Sequence, residues 1–238
     1  MTPDSQPTTP LSTPSLSTLR RIATTSRAVY DGERCEMCAE AIGERHQHVV
    51  DLETRALMCT CRACYLLFAT EGAQQRHRAV PERYLSFADF RLGPGQWEQL
   101  EIPVGLAFFF RNSVQDRTIA FYPGPAGATE SELPLAAWES IVGDNPALAM
   151  VASDTEALMI RALGRDSSQS SPPTADAPEA FLVPIDSCYE LVGQLRQVWR
   201  GFDGGQDARA SIASWFEKVR ACSRTVPAST ATQPGASS

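Results

Sequence analysis

Apolar positions along this chain fall into two rhythms, and the switch between them outlines its elements. Residues 104–110 and 118–122 are nearly continuous apolar runs of strand length, separated by a polar turn from Asn112 to Arg117, so they are expected to pair as central antiparallel neighbours. Residues 157–163 and 181–183 repeat that pattern and are expected as third and fourth strands. Cys188, Leu191, Val192, Leu195 and Trp199 recur instead at helical spacing behind Pro184 and Asp186. Ile212, Trp215, Phe216 and Val219 mark one face of a last helix over 208–220, with Gly204-Gly205 between the two. Shorter helices are expected over 19–27, around Ile22, and over 95–101, stopped by Pro103. Residues 124–128 read as a loop, and the capping-box spacing Thr129-x-x-Glu132 as the start of a helix carrying Leu135, Trp138 and Ile141.

Upstream, 46–52 and 55–59 read as two short strands turning at Glu53-Thr54, followed by an apolar helix over 65–69. Cysteines bracket this hairpin. Five of the chain's seven lie between Cys35 and Cys64, as Cys35-x2-Cys38 and Cys59-x-Cys61-x2-Cys64. Paired Cys-x2-Cys turns present thiolates from two directions to one tetrahedral ion, and four thiolates saturate it. The ligands expected are Cys35, Cys38, Cys61 and Cys64, with zinc as the default occupant and a single iron or an iron-sulfur cluster as the alternative. Cys59 competes with Cys61, because residues two apart on an extended chain share a face. His46 and His48 share one in the same way and offer imidazoles to that ion or to a second one. His77, beside Arg76 and Arg78, reads as solvent-exposed, and Cys188 and Cys222 as buried small hydrophobes. The Gly- and hydroxyl-bearing stretch 123–131 suits either an anion or a tight connection into a helix.

The resulting fold class is α+β: a small zinc-ribbon-like Cys-rich module followed by a mixed domain with an antiparallel sheet and helices. The expected division is a disordered tail over 1–29, the metal module over 30–71, the α+β domain over 80–222 with a flexible Ser/Pro/Asp-rich insertion at 165–178, and a disordered tail over 223–238. The polar stretch from Gly72 to Arg83 separates module from domain.

Composition narrows the function. The 238 residues are 43% hydrophobic, enough for a core, while a formal charge of -7 and a pI near 5.1 argue against a phosphate-binding surface and so against nucleic acid. No run of eighteen apolar residues suggests a membrane span, and the Ser/Thr/Pro-rich start lacks the apolar centre of a secretory signal, so a cytoplasmic protein is expected. Clustered cysteines also suit a reducing compartment. There is no Ser/His/Asp order, Walker-type loop, dinucleotide glycine pattern or HExxH, which leaves a conventional enzyme without support.

The strings CEMC, HQH, CTCRACYLLFAT, IPVGLAFFF, AFYPGPAGATES and FLVPIDSCYELV resemble an uncharacterised bacterial family of unknown function encoded beside nickel-iron hydrogenase gene clusters. The resemblance runs from about Arg34 to Arg220, and Cys35, Cys38, His46, His48, Cys59, Cys61 and Cys64 fall on the family's cysteine and histidine pattern. It implies an accessory protein in hydrogenase assembly or maturation, with hydrogenase subunits or maturation factors as protein partners. An iron-thiolate or iron-sulfur electron carrier is the alternative.

Overall fold

A computed structural model describes residues 32–70, 76–162, 177–201 and 204–227. The expected helix over 19–27, nearly all of the insertion and the end of the C-terminal tail lie outside the described residues. The fold is mixed α+β, built among the described residues on two sheets.

The smaller sheet has the order β2-β1-β3, from β1 (Gln47–Asp51), β2 (Ala56–Thr60) and β3 (His77–Ala79), all antiparallel. Asp51 shapes the β1–β2 turn by accepting hydrogen bonds from the backbone N–H groups of Glu53 and Thr54, and Arg55 closes it with a left-handed φ of 59°. The short helix α1 (Arg62–Leu66) follows β2 directly. β3 falls in the polar stretch read from sequence as a boundary. It joins the sheet through main-chain pairing, which needs no apolar run, and Val80 just after it is buried.

The larger sheet has the order β10-β4-β9-β8-β5-β6-β7. Its strands are β4 (Leu85–Phe87), β5 (Leu106–Asn112), β6 (Arg117–Gly124), β7 (Gly127–Ser131), β8 (Glu156–Arg161), β9 (Glu179–Pro184) and β10 (Arg224–Val226). The centre is buried on both faces, which is why its strands read as continuous apolar runs. Leu106, Phe108, Ala157, Met159, Phe181 and Val183 face one core, and Ala107, Phe109, Leu158, Ile160, Ala180 and Leu182 face the other. α2 (Gln96–Gln99) and α3 (Leu135–Asp144) cover the second face, through Trp97 and Ile141. α4 (Ile185–Val198) and α5 (Gly205–Cys222) cover the first, through Leu191, Leu195, Trp215 and Phe216. Val50 of β1 and Val80, just past β3, belong to that same core, so the cysteine-bearing segment packs onto the domain.

Three expectations change. Residues 124–131 are a hairpin, not a loop into a helix: Thr129 pairs with Tyr122 in the β6–β7 ladder, and α3 starts later, behind Pro134. Gly127 at its tip has φ 94°, and a Cβ there would meet Arg196 and Val192 at 2.8 Å, so the hairpin lies tight on α4. With no helix start at this point, the case for an anion site at 123–131 lapses. The 223–238 tail is not wholly irregular, since Arg224–Val226 pair in parallel with Leu85–Phe87 at the sheet edge. Cys222 is exposed rather than buried, lying at the last turn of α5.

Candidate metal centre

Two tight turns make the site. In the first, the N–H of Cys35 donates to the Glu40 carbonyl and the N–H of Ala39 to the Cys35 carbonyl, both at 2.8 Å, while the Arg34 guanidinium donates to the Ala39 carbonyl. Ala39 has a left-handed φ of 62°, a conformation costing a non-glycine residue about 1 kcal/mol, which the turn holds in place. In the second, β2 runs into Cys61, the N-cap of α1, whose Sγ accepts from the N–H of Cys64 at 3.5 Å. The N–H of Glu36 donates to the Cys59 carbonyl and the N–H of Cys59 to the Glu36 carboxylate, locking the turns together. The Tyr65 hydroxyl, donating to the Val80 carbonyl, anchors α1 to the chain beyond β3.

This scaffold gathers the Sγ atoms of Cys35, Cys38, Cys61 and Cys64 within 4.8 Å of one another. Around a tetrahedral ion with metal–sulfur bonds of about 2.3 Å, sulfur atoms sit about 3.8 Å apart. The Cys38 and Cys61 Sγ atoms match that spacing at 3.7 Å, and the other sulfur pairs lie within 4.8 Å, close enough for one ion to draw all four in. Burial pushes the Cys35 thiol up, but hydrogen bonds from the backbone of Cys61, Cys38 and Met37 outweigh it and bring the thiol down to about 6. Cys64 is pushed up to about 12, first by burial and then by the Cys38, Cys61 and Cys35 sulfurs beside it. One thiolate thus forms readily, while closely packed sulfurs oppose further negative charge until a cation is present.

Cys59 is not part of this group. It pairs with His48 across the β1–β2 ladder, and its Sγ lies with ring nitrogens of His46 and His48 in a second cluster, again within 4.8 Å. Sequence left Cys59 and Cys61 as rivals because two residues apart on a strand share a face. Here β2 ends at Thr60 and the chain turns into α1, so the two thiols part.

The His46 and His48 rings stand 4.8 Å apart, centroid to centroid, inclined at 57°. His46 Nδ1 is 2.9 Å from the Gly43 carbonyl and His48 Nδ1 is 2.9 Å from the Asp186 carboxylate. His77 is not the free surface residue its neighbours suggested. It lies on β3 with its ring 5.3 Å from Phe68 and its Nε2 3.8 Å from Asp51. Cys188 is buried on α4 as expected, and burial pushes its thiol up, keeping it protonated.

Asp186 and Gly43 were invisible as site residues from sequence. Asp186 reaches His48 across 138 positions, and Gly43 contributes only a carbonyl, which every residue has. Between the β1–β2 hairpin, the large sheet and α4 lies a cleft of about 420 Å³, lined by Leu52, Leu57, Phe110, Phe121, Ile185 and Val192 among others.

A family model described as a family of unknown function (DUF5947) matches residues 34–223. The chain belongs to this family. The DUF5947 match takes in both cysteine turns, the histidines and the whole described domain as far as the last turn of α5. No curated protein and no solved structure matches the chain. Among the described residues of this DUF5947 protein, no helix is long and apolar enough to cross a membrane.

Proposed function

We propose that this protein is a metal-binding accessory protein in which Cys35, Cys38, Cys61 and Cys64 hold zinc, and that it works in the cytoplasm on nickel-iron hydrogenase subunits or their maturation factors. The observation that carries the metal reading is the convergence of four sulfurs within 4.8 Å of one another from two hydrogen-bonded turns. Four thiolates leave no coordination position for a substrate, so the ion's contribution is to hold the turns and α1 in shape. Zinc suits that role as a d10 ion that favours tetrahedral thiolate coordination and undergoes no redox change. The hydrogenase connection rests on the resemblance of the cysteine, histidine and strand strings to a family encoded beside hydrogenase genes.

One observation favours a second reading. Cys38 is solvent-exposed, and an iron-thiolate site with an exposed sulfur edge can exchange electrons with a docked partner. Metal analysis and a visible spectrum of protein purified without oxygen separate the two, since zinc sites are colourless and iron-thiolate sites absorb strongly. For the biological role, the test is hydrogen uptake with an artificial dye in a deletion strain, complemented by wild type or by the Cys35→Ser, Cys38→Ser double variant. Loss of dye-linked activity supports assembly. Normal dye activity with lost hydrogen-dependent respiration supports a carrier, and normal behaviour in both assays removes the hydrogenase connection.

A further inference from the structure

We propose that His46, His48 and Cys59 form a second metal site, separate from the four-cysteine site, that takes a borderline-soft divalent cation through three protein ligands and leaves one coordination position open.

Three features of the cluster point to a ligand. The first is proximity, since one donor atom from each residue lies within 4.8 Å of the others. The second is the state of the imidazoles. A carbonyl or carboxylate oxygen accepts, so each Nδ1 that faces one donates, and in the neutral ring that tautomer makes Nε2 the acceptor, free to ligate a cation. Metal-bound histidines show the same arrangement, one nitrogen on the ion and the other donating to a carbonyl or carboxylate that fixes the ring. The third is an unmet need. The His46 side chain is only 10% exposed, and its Nε2 is buried with no hydrogen-bond partner. A buried acceptor is ordinarily paired, and a cation beside Cys59 Sγ and the His48 ring supplies the missing partner.

The donor set defines the occupant. Two neutral imidazoles and one thiolate suit zinc or cobalt and are too soft for magnesium or calcium, which take oxygen ligands. Three protein ligands leave a fourth tetrahedral position for water or an external donor, unlike the closed four-thiolate site. Asp186 is a positioning residue: from the start of α4 its carboxylate takes His48 Nδ1 and orients the ring, leaving Nε2 for the cation.

The test uses the full chain, stripped of metal under reducing conditions and titrated with Co2+ without oxygen. Two equivalents are expected, each with thiolate-to-cobalt absorption, and added imidazole should perturb the second equivalent alone. His46→Ala and Cys59→Ser should each bind one equivalent with unchanged affinity for the four-cysteine site. The Cys35→Ser, Cys38→Ser double variant should keep one equivalent at the second site, so failure of the four-cysteine reading is separable from failure of this one. Asp186→Asn should still bind two, the second weakened about 10–100-fold. A wild-type protein that saturates at one equivalent overturns the proposal. So does a second equivalent that is indifferent to His46→Ala and Cys59→Ser, and so does joint loss of both equivalents in those variants and in Asp186→Asn, which would make the histidines mere supports of the cysteine turns.

Discussion

His48 on β1 and Asp186 at the first turn of α4 meet at 2.9 Å, joining the cysteine-bearing sheet to the domain behind it. Both side chains are less than a third exposed. Replacing Asp186 with Ala removes a charge-assisted hydrogen bond and should destabilise the metal-free protein by about 1–2 kcal/mol. For a chain of this size that is a fall of roughly 2–8 °C in calorimetric Tm. An unchanged Tm would show that the contact adds nothing to the union of sheet and domain.

Loss of the ion should act locally. If the four cysteines hold an ion, Cys64→Ser should abolish metal binding there and expose residues 34–41 and 59–68 to amide hydrogen exchange, because ligation adds folding energy to a segment this short. β1 and β3 should stay protected, since Val50 and Val80 belong to the domain's core. Native metal content and protection in the variant would refute the four-thiolate site.

Glu156 is fully buried at the start of β8, its carboxylate gripped by the Arg83 guanidinium at 2.5 and 2.7 Å and by the N–H of Ala152. Replacing Arg83 with Met strands that carboxylate and should cost about 3 kcal/mol. The Arg83→Met, Glu156→Gln double variant should recover part of the loss in urea unfolding, because the stranded charge is gone. A double variant no better than the single one would show that packing, not charge, dominates here.

Acid sensitivity should be traceable to Asp51. The Arg76 guanidinium, 2.6 Å away at its nearest, holds the Asp51 carboxyl well below its usual value of 3.8 against the opposing effect of burial, helped by the N–H groups of Thr54 and Glu53. A carboxyl lowered on folding stabilises the fold above its unfolded value and loses that contribution as pH falls below it. The stability gap between wild type and Asp51→Asn should therefore be full at pH 6 and shrink from about pH 4 downward, read by urea unfolding of metal-free protein. A gap independent of pH would remove the Asp51–Arg76 pair as its cause.

Much of this architecture is written locally. Strands buried on both faces must be apolar at every position, so β5, β6, β8 and β9 announce themselves as runs, and α4 and α5 as helical stripes. The Cys-x2-Cys spacing is equally local, because each turn brings its own two sulfurs together. What the chain could not disclose by itself depends on partners remote in sequence. β3, β4 and β10 are three-residue strands, too short to carry a period and held by main-chain bonds to strands elsewhere. Cys59 and Cys61 are equivalent on paper, and only the end of β2 and the turn into α1 send one thiol to three cysteines and the other to two histidines. Asp186 reads in sequence as an acidic residue at a helix start, and it becomes the partner of His48 only when α4 packs beside the hairpin, since tertiary packing decides which side chains 138 positions apart meet.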